Sequence, residues 1–403
     1  MIEIIPLEPL MMRDGRTFRM TPGIRAHSLD YVPPSVVAGT LRTMAVKSES
    51  MPDLTKLPIR GPLYLFHQKL FVPMPHDVAI YENQDGELQA CYRRPQALPP
   101  GTGFLGTGNE FRHEDMWPAI APKLRGKPAQ KMPAFISIEW MTRYLAGELK
   151  EGDWAEPLAY WCHYESRLRE AELDKLHFLP ALVKEERTHT AIKPGTNRAE
   201  ETKLYSTEGL VFPKGMSMIV QIDDLEADLG WGSEGYTIHS IGGKRRLAQF
   251  HSVDQPTFDS CPEEIREALA GKKKYVRMVL ATPAYFDNGW LPRWLGTDLI
   301  TNERARTFLG DIRLQLRWAC VPRWQPVSGW SYSQGSEKSV RRMVPAGSVY
   351  FFEIIDGGTA EELADKLWLA SVSDDNRRKA AFDKDDGFGL AMWGTWEPSS
   401  SEV

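Results

Sequence analysis

The stretch GSVYFFEIIDGGTAEELADKLWLASV, residues 347–372, limits what this chain can fold into more than any other. Its first half, VYFFEII, is apolar without alternation, the pattern of a strand buried on both faces. Thr359 then stands three residues before Glu362, the spacing of a capping box, and a helical pattern follows. A second apolar run, GFGLAMWGTW (387–396), comes next. Strand, helix and strand in that order predict a helix lying across a sheet, which sets aside all-α and all-β architectures.

The beginning of the chain carries a related signal. IEIIPLEPL (2–10) reads as a strand ended by Pro9. After a basic loop, PPSVVAGTLRTMAVK (33–47) reads as a helix with Pro34 in its first turn and Val37, Thr40, Leu41 and Met44 on one face. Residues 48–126 are rich in Pro, Gly and polar residues and read as insertions and loops around short strands. KMPAFISIEWMTRYLAGE (131–148) starts as a strand and continues as a helix, and EPLAYWCHYESRLREAELDKLH (156–177) reads as one separate helix. Residues 184–212 read as a second loop region, followed by a strand, GMSMIVQIDDL (215–225). CPEEIREALAGK (261–272) is a short helix with Pro262 early and Gly271 at its end, and KKYVRMVLATPAYF (273–286) is a strand.

At 403 residues the chain is too long for one compact core. The expected fold is α+β: two ferredoxin-like (split βαβ) domains with long loop insertions, spanning residues 1–215 and 216–403. Cys91, Cys162, Cys261 and Cys320 are far apart and match no zinc or redox spacing, so reduced thiols and a cytoplasmic setting are expected. The opening residues have no basic n-region, and Pro6, Glu8 and Pro9 interrupt the apolar run, so no signal peptide is expected there. No stretch approaches the roughly 20 apolar residues of a membrane span, and no membrane partner is expected.

The formal net charge is −5, so any surface for nucleic acid must be made by clustering cations locally. Four segments do so. In IHSIGGKRRLAQF (238–250), Gly242 and Gly243 precede Lys244, Arg245 and Arg246. Bare glycine backbone approaches phosphate closely and its N–H groups can form an anion-binding concavity. The plainer alternative is a tight turn with a solvated basic tail. In the loop RDGRTFRMTPGIRAHS (13–28), Arg13, Arg16, Arg19 and Arg25 crowd around one acid, Asp14, with His27 behind. Arginine forks suit phosphate, though they serve equally to pair with surface acids. The third segment, RTHTAIKPGTNRAEETKLYSTEGL (187–210), interleaves Arg187, His189, Lys193, Arg198 and Lys203 with Tyr205. Single-stranded nucleic-acid sites are built this way, with bases on rings and cations along the backbone. Arg341 and Arg342 lie just before the buried strand at 349 and serve as RNA contacts or as a charged strand entry.

Motifs for other chemistry are missing. GTGFLGTGNE lacks the GK[ST] of a phosphate-binding loop, and HExxH and GxSxG do not occur. No cofactor or metal is expected. His27, His189 and His239 lie near basic segments, where they serve ribonuclease acid–base chemistry or simply contact RNA.

The blocks IIPLEPLMMRDGRTF, PPSVVAGTLRTMA, RTHTAIKPGTNRAEETKLYSTEGLVF, IHSIGGKRRLAQF, LATPAYFDNGWLPRWL, VSGWSYSQGSEKSVRRMVPAGSVYFFEI and GFGLAMWGTW follow one another along nearly the whole chain. Together they resemble subunit three, a RAMP-superfamily protein, of the type III-B CRISPR effector (the Cmr complex). Residues 48–126 have no counterpart in the resemblance. It implies two ferredoxin-like domains and a subunit without catalysis of its own. It implies binding of the repeat-derived 5′ tag of the crRNA, with partners in the large polymerase/cyclase-type subunit and a backbone RAMP subunit. It also implies RNA contacts from the three basic loops around Arg13, Arg187–Tyr205 and Gly242–Arg246. The other reading is a metal-independent RAMP endoribonuclease that processes precursor crRNA.

Overall fold

The structure is a computed structural model that describes residues 1–13, 25–47, 57–97, 116–120, 126–193, 195–196, 198–222, 231, 235–255, 258–271, 273–331, 335–374 and 384–398. Its main elements run β1 (Ile2–Pro6), α1 (Pro34–Lys47), β2 (Ile59–Phe66), β3 (Lys69–Pro73), β4 (Phe135–Ser137), α2 (Ile138–Leu145), α3 (Ala155–Tyr164) and β5 (Phe178–Leu179). They continue with β6 (Val183–Ile192), β7 (Ala199–Val211), β8 (Met216–Ile222), β9 (Tyr236–Ile241), β10 (Arg246–Ser252) and α4 (Glu263–Leu269). The rest are β11 (Tyr275–Leu280), β12 (Arg313–Cys320), β13 (Gln325–Val327), β14 (Arg341–Met343), β15 (Val349–Asp356), α5 (Ala360–Leu367), β16 (Ala370–Ser371) and β17 (Leu390–Thr395).

Two antiparallel sheets organise these elements into an α+β fold. The first has the order β5-β4-β3-β2-β8-β1-β10-β9, and the second β12-β15-β11-β17-β16. Each contains four neighbours in the same topological order: second, third, first, fourth along the chain. These are β2-β8-β1-β10 in one sheet and β12-β15-β11-β17 in the other. The expected boundary at residue 215 needs correction, because β8, β9 and β10 complete the first sheet and sheet membership changes only after Ser252.

Alternation along the strands decides where the core sits. In β2, Tyr64 and Phe66 join the cluster under α1, while Leu63 and Leu65 join a second cluster on the opposite face. Phe71 against Leu70 and Val72 in β3, and Met218 and Val220 against Ile219 in β8, divide the same way. This is period-two patterning with both faces buried. On the first face, α1 lays down the expected Val37, Leu41 and Met44. On the second, α2 contributes Trp140, Met141, Tyr144 and Leu145 to a cluster continuous with Val276, Met278 and Phe352 of the other sheet.

Several sequence expectations change. The single helix expected over 156–177 stops at Tyr164 and gives way to short 3-10 turns. Trp154, Leu158 and Trp161 are buried at helical spacing, and one more turn would bring Glu165 onto that face. Most of residues 184–212 form not a loop but the ribbon β6–β7, in register from Val183↔Val211 to Thr190↔Leu204, with the short strand Arg25–Ala26 parallel to β7. β6 is largely exposed on both faces, so it carries no apolar alternation for a sequence reading to detect. Of the short strands expected among loops in residues 48–126, β2 and β3 lie in the body of the first sheet. The capping box forms as expected: Glu362 N–H donates to Thr359 Oγ1 at 3.2 Å, and Thr359 N–H to Glu362 Oε2 at 3.0 Å. Among the described residues no helix is long and apolar enough to cross a membrane.

A buried polar cluster joins the two sheets. Asp77, just after β3, accepts the Tyr144 hydroxyl on both carboxylate oxygens, at 2.5 and 2.6 Å. Arg277 of β11 brings Nη1 within 3.8 Å of Asp77 Oδ2. Its guanidinium lies 3.7 Å from the Tyr144 ring centre and donates to the Tyr144 carbonyl. Burial pushes the Asp77 carboxyl upward, opposed by Arg277 and the Tyr144 hydroxyl. Beside it, β17 packs so closely on α2 that a Cβ on Gly394 would stand 2.5 Å from the Leu145 carbonyl.

At the start of α2, His177 Nδ1 lies 3.1 Å from Ser137 Oγ, and its ring sits 4.7 Å from Trp140. Burial, then Lys69, lowers His177 to about 4 from its ordinary 6.5.

Two outcomes follow. Arg277→Met leaves the Asp77 carboxyl buried without its cationic partner, held by the Tyr144 hydroxyl, and should lower the unfolding free energy by about 3–5 kcal/mol. Combining it with Asp77→Leu should recover part of that loss in urea titrations, and strict additivity would show that the residues do not act as a unit. For His177, the folded pKa lies below the unfolded one, so its contribution is full above 6.5 and is lost as pH falls towards 4. The loss is at most about 3 kcal/mol. His177→Gln should flatten this limb of a melting temperature–pH curve.

Candidate nucleic-acid interface

The site is assembled around one short piece of chain. Beyond β1, Leu10 exchanges backbone hydrogen bonds with Leu210 of the ribbon, at 2.9 and 2.7 Å. On its other side, Gly243 N–H donates to the Met11 carbonyl at 2.8 Å. Residues 10–11 therefore hold the base of the β6–β7 ribbon against the turn that joins β9 to β10. Ser28 fixes the next residue, its hydroxyl accepting from Met12 N–H at 2.9 Å. Three segments far apart in sequence meet here.

Glycine in the turn serves a different end from the one expected. Gly242 has φ +73°, and a Cβ there would stand 2.8 Å from the Met11 carbonyl. The pair is bare because it presses on Met11, and the Gly243 N–H is spent on the chain's own carbonyl. The left-handed backbone continues through Lys244 (φ 55°) and Arg245 (φ 51°), which turn outward and are exposed.

Lys244 brings two of the expected clusters together. Its Nζ lies 4.8 Å from the Tyr205 ring centre, and His189 stacks on Tyr205 at 5.1 Å and 21°. His189 Nε2 lies 2.9 Å from Thr207 Oγ1. Burial first, then Lys244, Arg246 and Arg187, lowers His189 and favours its neutral form. Burial and Arg246 lower Lys244 as well. A half-exposed ring stack beside crowded cations favours an anion carrying a flat group.

Next to this stack is a groove of about 1110 Å³. Its lining includes Arg13, His239, the turn from Gly242 to Arg245, and Gly39, Thr40 and Thr43 of α1. The second half of the chain adds Ser328, Gly329, Glu337 and Lys338. Among the described residues, Arg13, Lys244, Arg245 and Lys338 thus line it with one carboxylate, Glu337. The α1 residues and the 328–338 segment carry no signal in the sequence, because neither forms a basic cluster.

Several expected contact residues are paired with carboxylates of the chain itself. Arg246 is paired with Glu8, whose second oxygen accepts Leu247 N–H at 3.1 Å. Arg25 bridges Glu186 at 2.9 Å and Glu208 at 2.8 Å, and His27 Nδ1 is 3.2 Å from Glu208. Although burial raises Glu208, Ser28 N–H, His27 and Lys184 hold it below the ordinary carboxylate value. Arg187 pairs with Glu185. Lys193 and Arg198 are exposed near the ribbon tip, joined by a backbone bond of 2.9 Å. Arg341 lies over Tyr285 and Arg342 over Trp324, and neither lines the groove. Arg16 and Arg19 lie outside the described residues, as does the side chain of Lys203.

The chain matches the family model described as CRISPR-associated protein (Cas_Cmr3) over residues 2–396. Among solved structures, it is similar to a chain in the cryo-EM structure of the Type III-B Cmr-beta bound to cognate target RNA. Identity is 17%, covering 87% of this chain and 86% of that chain, with a TM-score of 0.44. It is also similar to a chain in the crystal structure of the Csm3-Csm4 subcomplex in the type III-A CRISPR-Cas interference complex. There identity is 10%, covering 98% and 100% of the two chains, with a TM-score of 0.39. No curated protein matches the chain.

Gly242→Ala combines a left-handed backbone with a clash against Met11 and should destabilise the protein by about 1–3 kcal/mol. Gly243→Ala meets nothing closer than 3.3 Å and should cost less. Thermal unfolding of the two variants tests the order.

Proposed function

We propose that this chain, which belongs to the CRISPR-associated Cas_Cmr3 family, is a non-catalytic RNA-binding subunit of a type III-B (Cmr) effector complex. Its groove grips the repeat-derived 5′ tag of the crRNA. The observation that carries the reading is the convergence of Arg13, Lys244, Arg245 and Lys338, from three distant parts of the chain, on that one groove. The Lys244–Tyr205–His189 stack beside it supplies aromatic faces for bases, and the cations supply partners for phosphates.

The two halves are read as ferredoxin-like units, the first extending through Ser252. Their shared strand order, and α1 and α5 lying along the chain between strands of those sheets, support this. As a scaffold, the protein bridges the large polymerase/cyclase-type subunit and a backbone RAMP subunit, in the cytoplasm. Arg25, His27, Arg187 and Arg246 are assigned to holding the ribbon and turn in place rather than to RNA, because each is engaged by a carboxylate of this chain.

A metal-independent endoribonuclease keeps one observation in its favour, since His239 lines the groove beside Lys244. Single-turnover incubation with precursor RNA in EDTA separates the readings. Cleavage at one bond, lost in His239→Ala, would overturn the non-catalytic assignment.

For binding, Lys244→Ala and Arg245→Ala should each weaken affinity for tag RNA. Each should also make log K fall less steeply with log salt, by about 0.7 for every phosphate the variant no longer neutralises. Arg246→Ala should instead lower the melting temperature and leave the slope near that of the parent. Unchanged slopes in the first two variants and in their double variant would sink the groove assignment.

A further inference from the structure

The tryptophan-rich segments of the second half divide between core and surface. Trp294 is 3% exposed and belongs to the core, whereas Trp324 is 42% exposed. Trp324 shares a second cavity, about 510 Å³, with Trp290 and Trp318. That volume falls in the range of about 300–1,000 Å³ usual for small-ligand sites. Arg323 and Arg342 complete the lining together with small and apolar residues, and among the described residues no carboxylate lines it. The Arg342 guanidinium lies 4.7 Å from the Trp324 ring centre.

We infer that this cavity is a base-stacking site for a single-stranded RNA nucleotide, separate from the groove. Indole walls offer flat apolar faces. A cation layered on one of them favours an electron-rich ring, and an all-cationic rim favours a ligand that brings its own negative charge. A nucleotide combines a flat base with an attached phosphate. A purely apolar peptide segment would leave both guanidinium groups without a counter-charge, so the lining favours the nucleotide.

The position of the cavity supports the same occupant. Trp324 precedes β13 and Ser328 follows it, and these residues line the cavity and the groove respectively. The return strand repeats the arrangement, with Arg342 at the cavity and Lys338 at the groove. Four residues of extended chain span roughly 13 Å. One β-ribbon therefore links the two sites, and an RNA strand leaving the groove along it reaches the tryptophans within a few nucleotides. The proposal rests on the RNA-binding reading for the polymer but on different residues for the contact.

The test uses the full chain and a single-stranded RNA carrying 4-thiouridine at successive positions, irradiated and mapped by peptide mass spectrometry. A cross-link within residues 318–324 or at 342 is expected. It should be lost in Trp324→Ala and kept in Lys244→Ala. Trp324→Ala should bind the same RNA roughly five- to hundred-fold more weakly. Because Trp324 is exposed, circular dichroism and melting should match the parent. Cross-links confined to groove peptides, with unchanged affinity in Trp324→Ala, would overturn the stacking site and leave the groove reading standing. No RNA binding at either place would overturn both. With a benzophenone amino acid in place of Trp324 in the co-purified complex, cross-links to another protein and none to RNA would overturn the stacking site and assign the cavity to a partner subunit.

Discussion

A carboxylate, a phenol and a guanidinium buried together hold the two sheets of this protein against each other. Asp77, Tyr144 and Arg277 come from a loop, a helix and a strand on both sides of the junction. Burying any one of them unsatisfied would be costly, so each depends on the other two arriving. The groove depends on the same junction, because α1 and the Gly242–Arg245 turn line it from the first half and Ser328, Gly329, Glu337 and Lys338 from the second.

Electrostatics inside the chain decide which cations remain for a ligand. The protein spends Arg25, His27 and Lys184 on Glu208, Arg246 on Glu8, and Arg187 on its neighbour Glu185. These bonds fasten the ribbon and the turn. Lys244 and Arg245, next to Arg246 in sequence, line the groove instead. Adjacent positions thus have different surroundings: Arg246 begins β10 beside Glu8, whereas Lys244 and Arg245 lie in the turn at the groove.

Much of the fold was legible from local chemistry. The capping box at Thr359, the α1 face of Val37, Leu41 and Met44, and the strand-to-helix passage at Ser137 were visible because propensity and burial agree there. The β6–β7 ribbon was not legible, since a strand wet on both faces has no apolar period. The halves' boundary was misplaced because β8 is separated from its sheet partner β1 by more than two hundred residues, and no local signal carries that pairing. At the site, the clusters around Arg13 and Gly242–Arg245 fall on the groove, but pairing with distant acids such as Glu8 and Glu208 could not be read from composition. The glycines were marked as a close backbone approach to phosphate, and the approach that the structure contains is to Met11.

The division of neighbouring side chains in β2, β3 and β8 between two cores bears on how the protein reaches its native state. In a sheet with one wet face, a slip of one residue exchanges a buried set for a polar one. Here such a slip would exchange Tyr64 and Phe66 with Leu63 and Leu65, so these four positions would stay apolar while both cores received the wrong shapes. Hydrophobicity alone is therefore blind to the error, and only the volumes of the aromatic and aliphatic sets reject it. Correct pairing of this sheet is policed by steric fit, which makes its central strands intolerant of size changes that a half-exposed sheet would absorb.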